Sequence, residues 1–470
     1  MDAWRVRRAG AVLPLLVYCG LCTTVISSLG ALLIPAVAAD QRVPVSTAQW
    51  MLTGNLLVGA VTTPVLGRLA DGPRSRRMLL LALTVVALGS ALAATAETFP
   101  QLLAGRALQG PTCGMVPVTM ALARRHLPSD RVGRAIATLA VTAATGAGLS
   151  CPLTGFIAQH LDFHWAFWLA LAFVAPAFAG VLLILPPDRA DREPRPAADP
   201  VGVALLAAGL VCLILLAGQG AQWGWRSPAV LGLLLGTLLS AGGWAWWERP
   251  TGRPLVRPAL LGRSDVVLAN VAAFALGAAA FVGLSAVGTM AQAPASTGYG
   301  LDLSVFAGGC LMLPMSAGSQ SAGRLSRRLT AKAGPRATLA AGAALVAVAQ
   351  LCLSAYHYRL WHLLLAIALL GLGTGLTWTS VPMLVHGAVP AGELGSVLSF
   401  NHVLRIAGST LGSAATGAVL AAHTAADGLP GDAGYRMAFT TSAAGCGLVL
   451  VGILSRMVAE SSRQTLRHSG

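Results

Sequence analysis

Apolar runs of about twenty residues recur along the chain, separated by short polar breaks, and this rhythm is its dominant pattern. A helix needs roughly 20 predominantly apolar residues to cross a hydrocarbon core of about 30 Å. On that criterion the pattern predicts helical spans at 11–35, 47–68, 78–96, 101–123, 136–158 and 165–186. Two more follow a polar break, at 201–219 and 227–246. Six others lie at 266–290, 303–322, 337–354, 361–385, 396–421 and 435–456, which makes fourteen. The first run is about 25 residues long, has no small-residue cleavage site before a polar start, and leads into another span. It therefore reads as a retained helix and not as a signal peptide.

The polar breaks carry an asymmetry of their own. With the N-terminus inside, the even-numbered connections and both termini collect 26 of the 32 basic residues. The opposite side holds Arg42, Arg226, Arg359 and Arg436, while Arg106 and Arg405 fall within spans. Lys and Arg gather in cytoplasmic loops, so the split supports both termini inside the cell, in an inner (plasma) membrane. Composition agrees. Hydrophobic residues make up 55% of the chain and charged residues 10%, against about 25% charged in soluble domains. The net charge of +15 sits in clusters between apolar runs, which matches anionic lipid and argues against nucleic acid. Eight cysteines lie in or beside apolar runs and suggest neither a metal site nor a disulfide framework.

The long polar stretches divide the chain into an N-terminal six-helix bundle (1–187), a linker with an inserted helix pair (188–248) and a linker with a C-terminal six-helix bundle (249–470). The halves echo each other: Gly67-Arg68-Leu69 follows the second helix of one, and Gly323-Arg324-Leu325 follows the second helix of the other. Internal repeats of this kind mark secondary transporters, whose halves rock about a midplane site. No G-x-x-x-x-G-K-[ST] phosphate loop is present, so a gradient and not a nucleotide supplies any energy. No cofactor, metal or enzymatic chemistry is expected; H-E-x-x-H and paired intramembrane aspartates are lacking.

Four stretches carry finer information. The loop after helix 2 reads Gly67-Arg68-Leu69-Ala70-Asp71-Gly72-Pro73-Arg74-Ser75-Arg76-Arg77; helix 4 has Leu102-x3-Arg106-x2-Gln109-Gly110. Helix 5 has Ala147-Gly148-x2-Cys151-Pro152-x2-Gly155-Phe156; helix 13 has Asn401-His402-x2-Arg405-x2-Gly408-x3-Gly412. On these residues the chain resembles the major facilitator superfamily, within it the fourteen-helix drug:proton antiporter branch, over nearly its whole length. The resemblance implies an all-α transmembrane fold of two six-helix bundles plus two inserted helices. It also implies a conformational latch at Gly67, Leu69, Asp71, Arg74 and Arg76, echoed at Gly323 and Arg324, with Asp71 capping helix 3. Arg106 matches the branch's buried arginine, a part of its proton relay. Pro152 and Gly155 are the two positions of the helix-5 antiporter signature that this chain keeps, where Ala147, Cys151 and Phe156 replace glycines.

One departure stands out. Aligning Pro35 with the branch's helix-1 proline puts Ile26 where an aspartate is usual, and none of the 17 acidic residues falls in mid-span. Coupling to protons would then fall to an intramembrane histidine, of which His402, four residues or fewer from Asn401 and Arg405, is the first candidate. Arg106, Gln109, Asn401, His402 and Arg405 are the cavity and coupling candidates. Two arginines without a carboxylate favour neutral or anionic amphiphiles over lipophilic cations. The expected function is export of a small hydrophobic or amphiphilic, drug- or antibiotic-like compound by proton antiport, by a monomer. A uniporter or importer of a small solute, and a non-transporting membrane sensor, are the alternatives.

Overall fold

The computed structural model describes residues 2–29, 33–70, 74–188, 199–249, 256–390, 393–423 and 430–468. These residues form α-helices almost throughout. The first half contains α1 (Asp2–Ser28), α2 (Ile34–Asp40), α3 (Val45–Ala48), α4 (Trp50–Ala70), α5 (Ser75–Ala94), α6 (Phe99–Leu108), α7 (Thr112–His126), α8 (Ser129–His160) and α9 (His164–Ile184). Next come α10 (Pro200–Trp223) and α11 (Pro228–Glu248), the inserted pair. The remainder holds α12 (Pro258–Leu261), α13 (Ser264–Gln292), α14 (Val305–Cys310), α15 (Leu313–Ala355), α16 (Leu360–Ala388), α17 (Leu394–Ala422) and α18 (Asp432–His468).

Eleven stretches among the described residues are long and apolar enough to cross a membrane. One of them, 305–355, contains both spans predicted at 303–322 and 337–354. Its long helix α15 is broken at Gly334 (φ 83°, ψ 171°) just before Pro335, a backbone that glycine adopts freely and that proline, lacking an N–H, then follows. The span predicted at 101–123 is likewise two pieces, α6 and α7, interrupted at Gln109–Pro111. With these and α8, the helices are compatible with the expected fourteen crossings.

The sequence explains the starts of the inserted pair. Asp199 accepts from the Val201 N–H (3.0 Å) ahead of Pro200, and Ser227 from the Val230 N–H (3.3 Å) ahead of Pro228, each an N-cap followed by proline at the first helical position. Leu231, Leu234, Leu235, Leu238 and Leu239 on α11 are exposed, an outer surface suited to lipid. Trp165, Trp223, Trp225, Trp246 and Trp361 are exposed near helix ends, where indole rings favour the membrane–water boundary.

Two seams join the first half to the last. Helix α4 packs against α17, while α8 packs against α14, α15 and α16. The echoed glycines sit in these seams. A Cβ on Gly67 would lie 1.8 Å from Ser399 Oγ and 2.8 Å from the Gly395 carbonyl, and one on Gly323 would lie 3.2 Å from Val141 Cγ2. The second helix of each half thus meets the fifth helix of the other. Helix α10 rests on both α4 and α17, so the inserted pair lies along that seam. Within the last half, Gly371, Gly373 and Gly375 let α16 approach the backbones of α15 at Met315, Gly342 and Ser319.

Candidate functional site

Arg106 is wholly buried. Its Nε donates to the Met51 carbonyl (3.4 Å), and Nη1 to the Ile26 carbonyl (3.4 Å) and to Gln109 Oε1 (2.6 Å). Gln109 Nε2 in turn donates to Ser90 Oγ at 2.8 Å. Gln109 ends α6 in helical conformation, so the three-residue spacing puts it beside Arg106. Every acceptor is neutral, and Nη2 is buried with no partner among the described residues. The position where the resemblance expects an aspartate, Ile26, contributes only its main-chain oxygen. Phe167 stands 5.9 Å from the guanidinium carbon, a distance at which a ring face still attracts a cation.

A second centre lies among α7, α8, α13, α16 and α17. It is a cavity of about 40 Å³ whose lining includes Val116, Met120, Trp378, Asn401, His402 and Arg405. Three residues on α17 meet there because helical spacing puts 401, 402 and 405 on one side. Arg405 Nη2 lies 2.7 Å from His402 Nδ1. A guanidinium only donates, so that nitrogen is the acceptor and the imidazole proton, in the neutral form, is on Nε2. The guanidinium carbon is 4.6 Å from the centre of the Trp378 ring. Asn401 Nδ2 donates to the Ala269 carbonyl and to Asn270 Oδ1, both at 3.0 Å, which ties α17 to α13. None of the lining residues is acidic.

Pro152 and Gly155 lie in the α8–α14 seam. A Cβ on Gly155 would sit 3.0 Å from the Val305 carbonyl, and one on Gly309 would sit 2.8 Å from the Cys151 carbonyl. The remnant of the helix-5 signature therefore marks a place where two backbones touch across the halves. The Phe306 N–H donates to Gln159 Oε1 (3.2 Å) beside it.

The latch candidates do not form one cluster. Gly67 packs on α17, as described, and Leu69 is about one-third exposed. Arg76 turns away from the seam: its Nη2 donates to the Leu182 carbonyl (2.9 Å) and its Nε to that of Val181 (3.4 Å). Arg74 and Arg324 are exposed. Asp71 lies outside the described residues. Asp188 serves the N-terminus of α5: its two oxygens accept the N–H groups of Arg76 (3.0 Å) and Arg77 (2.9 Å).

Sequence reasoning missed the residue that crosses the seam. Glu393, just before α17 and largely buried, pairs with Arg68 (3.0 Å) and with Arg257 (3.2 Å), on the segment leading out of the inserted pair. Arg68 stands inside the latch motif and calls for an acidic partner, but nothing in the sequence singles out Glu393 as that partner. Trp244 of α11 stacks on Phe400 of α17 at 5.7 Å and 14°, and donates to buried Glu248 at 3.1 Å. The inserted helices therefore touch the same stretch of α17 that carries the seam and the cavity.

Comparison with known proteins places this arrangement. A solved structure of the human organic anion transporter MFSD10 superposes with a TM-score of 0.66 at 19% identity, covering 95% of this chain and 99% of that one. An uncharacterized MFS-type transporter of Mycobacterium tuberculosis is 29% identical over 391 residues, 82% of this chain but only 56% of the relative's length. The puromycin resistance protein pur8 of Streptomyces alboniger is 28% identical over 406 residues, 84% of this chain and 78% of its own. The family model of the Major Facilitator Superfamily matches residues 16–413, and the chain belongs to that superfamily.

Proposed function

We propose that the protein is a secondary active exporter of small hydrophobic or amphiphilic compounds, driven by proton antiport. It works as a monomer in the inner (plasma) membrane with both termini in the cytoplasm. The halves 1–187 and 249–470 rock about the Arg106 and Arg405 region, and 188–248 supplies the inserted pair. The resistance named for the Streptomyces alboniger relative supports an antibiotic-like substrate. The absence of a carboxylate from the cavity lining supports neutral or anionic molecules over permanent cations. At about 40 Å³ the cavity is far below the roughly 300–1,000 Å³ of drug-sized sites, so loading requires the α4–α17 seam to part. Gly67, Arg68, Leu69, Asp71, Arg74, Arg76, Gly323 and Arg324 form the inner-face latch in this reading.

One observation carries the coupling: the 2.7 Å contact of Arg405 with His402 Nδ1. That contact needs a lone pair on Nδ1. A proton arriving there removes the acceptor and sets two cations against each other, so Arg405 must swing away. Protonation thereby exchanges one cavity shape for another with no mid-membrane carboxylate. The test is reconstitution in proteoliposomes with an imposed pH gradient and matched neutral, anionic and permanently cationic aromatic compounds. Wild type is expected to move the neutral and anionic compounds against proton flow, and His402→Gln to retain binding while uncoupling flux from the gradient. Equal pumping of the permanent cation, or full coupling in His402→Gln, would refute the reading.

A further inference from the structure

The Arg405 cavity holds a charge that the described protein groups do not balance. A guanidinium carries five N–H donors. Only Nη2 is engaged, with His402 Nδ1, which is a neutral acceptor. Trp378 covers one face of the group at 4.6 Å. The other donors of Arg405 make no hydrogen bond with a described residue, although Arg405 lines the cavity. Arg106 is a second buried cation, and its Nη2 has no partner among the described residues. The buried carboxylates among the described residues, Glu248 and Glu393, stand at helix ends and do not line the cavity. Two like charges in a low-dielectric interior raise a strong positive potential and attract a counterion.

We propose that Arg405 binds one monovalent anion in this cavity, a halide or the carboxylate group of a small molecule. The space, about 40 Å³, is enough for a small ion or a carboxylate head. Val116, Pro117, Val381 and Pro382 line much of the rest. These four offer no donors, and besides Arg405 and Asn401 only Thr377, Trp378 and His402 on the lining carry one, so a sulfate or phosphate dianion would leave most of its oxygens unsatisfied. A single charge beside one guanidinium satisfies the site. The anion replaces the missing aspartate from the solvent or the substrate side, and the proposal rests on the same cavity as the export reading. A halide makes Arg405 charge-neutral between transport cycles; a carboxylate makes it the docking point of the cargo.

The experiment is equilibrium binding to the purified full-length protein, with no gradient and no transport, so its outcome is independent of whether export is observed. One arm uses radiolabelled chloride in gluconate buffer and the other radiolabelled benzoate, which separates a free anion from a compound's own carboxylate. Saturable binding of at least one of them at one per chain is expected. Arg405→Gln should weaken it at least about tenfold, Arg405→Lys should keep most of it, and Arg359→Gln on the protein surface should leave it unchanged. Where Arg405→Gln does not purify as a single species, iodide quenching of tryptophan fluorescence takes its place, read against Trp378→Phe. The saturable part of the quenching should vanish in that variant, leaving the collisional quenching of the exposed tryptophans. Absence of saturable binding in both arms overturns the proposal, as does binding that survives in Arg405→Gln or iodide quenching unaltered by Trp378→Phe.

Discussion

Gly67 is the tightest point of the inner seam, and a single methyl group tests it. A Cβ there would meet Ser399 Oγ at 1.8 Å, Ser399 Cβ at 2.6 Å and the Gly395 carbonyl at 2.8 Å. The first two atoms belong to a side chain that can be removed, while the third is main chain and cannot. Gly67→Ala should therefore push α4 off α17, at a cost of about 1–3 kcal/mol typical of overpacking. Adding Ser399→Gly should recover part of the loss. Gly133→Ala, where the new carbon meets nothing within 4 Å, should be silent. Transport rate and thiol labelling of single cysteines in the seam measure all three. Residue types foretold this scale unevenly. Arg106 and Arg405 were legible because a cation within an apolar run must find a polar environment. Glu393 was not, since a carboxylate at a helix boundary has the same sequence appearance whether it faces water or bridges Arg68 and Arg257.

Helices were legible at the level of elements, and their interruptions much less so. The long apolar runs foretold spans, but hydropathy does not distinguish one straight helix from two short ones meeting at Gln109–Pro111, or from α15 bent at Gly334. The signals there are Gly110-Pro111 and Gly334-Pro335, which break the hydrogen-bond ladder without lowering hydropathy. The cap of α5 shows a second limit. Asp188 reaches that end of α5 from beyond the far end of α9. Tertiary folding brings the end of α9 beside the start of α5, and proximity in sequence carries no record of that. Asp188→Ala should leave the N–H groups of Arg76 and Arg77 without an acceptor and cost about 0.5–2 kcal/mol. Asp188→Asn, with one acceptor oxygen remaining, should lose less. The apparent thermal midpoint of the purified protein in detergent reads this difference.

For the whole molecule, the relation between the two halves was the least legible feature, because every face of a membrane helix is apolar and periodicity does not say which one meets its neighbour. The structure shows Glu393 as the ionic tie of the α4–α17 seam, receiving Arg68 from α4 and Arg257 from the segment behind the inserted pair. Trp244 of that pair lies on Phe400 seven residues along the same helix. If rocking opens the seam inward, the Arg68 contact must break, while Arg257 and Trp244 can travel with α17. Glu393→Gln removes the charge from both pairs but keeps the shape. Charge-assisted hydrogen bonds contribute about 1.5–3 kcal/mol, so the ratio of open to closed inner face should rise on the order of 10- to 100-fold. Arg68→Gln should produce most of that shift and Arg257→Gln little of it, since only the first pair spans the moving surface. Labelling rates of a cysteine at position 399 from the cytoplasmic side give the ratio directly. Equal shifts from Arg68→Gln and Arg257→Gln would mean that the inserted pair moves with α4 instead, and that the hinge runs between α10 and α17.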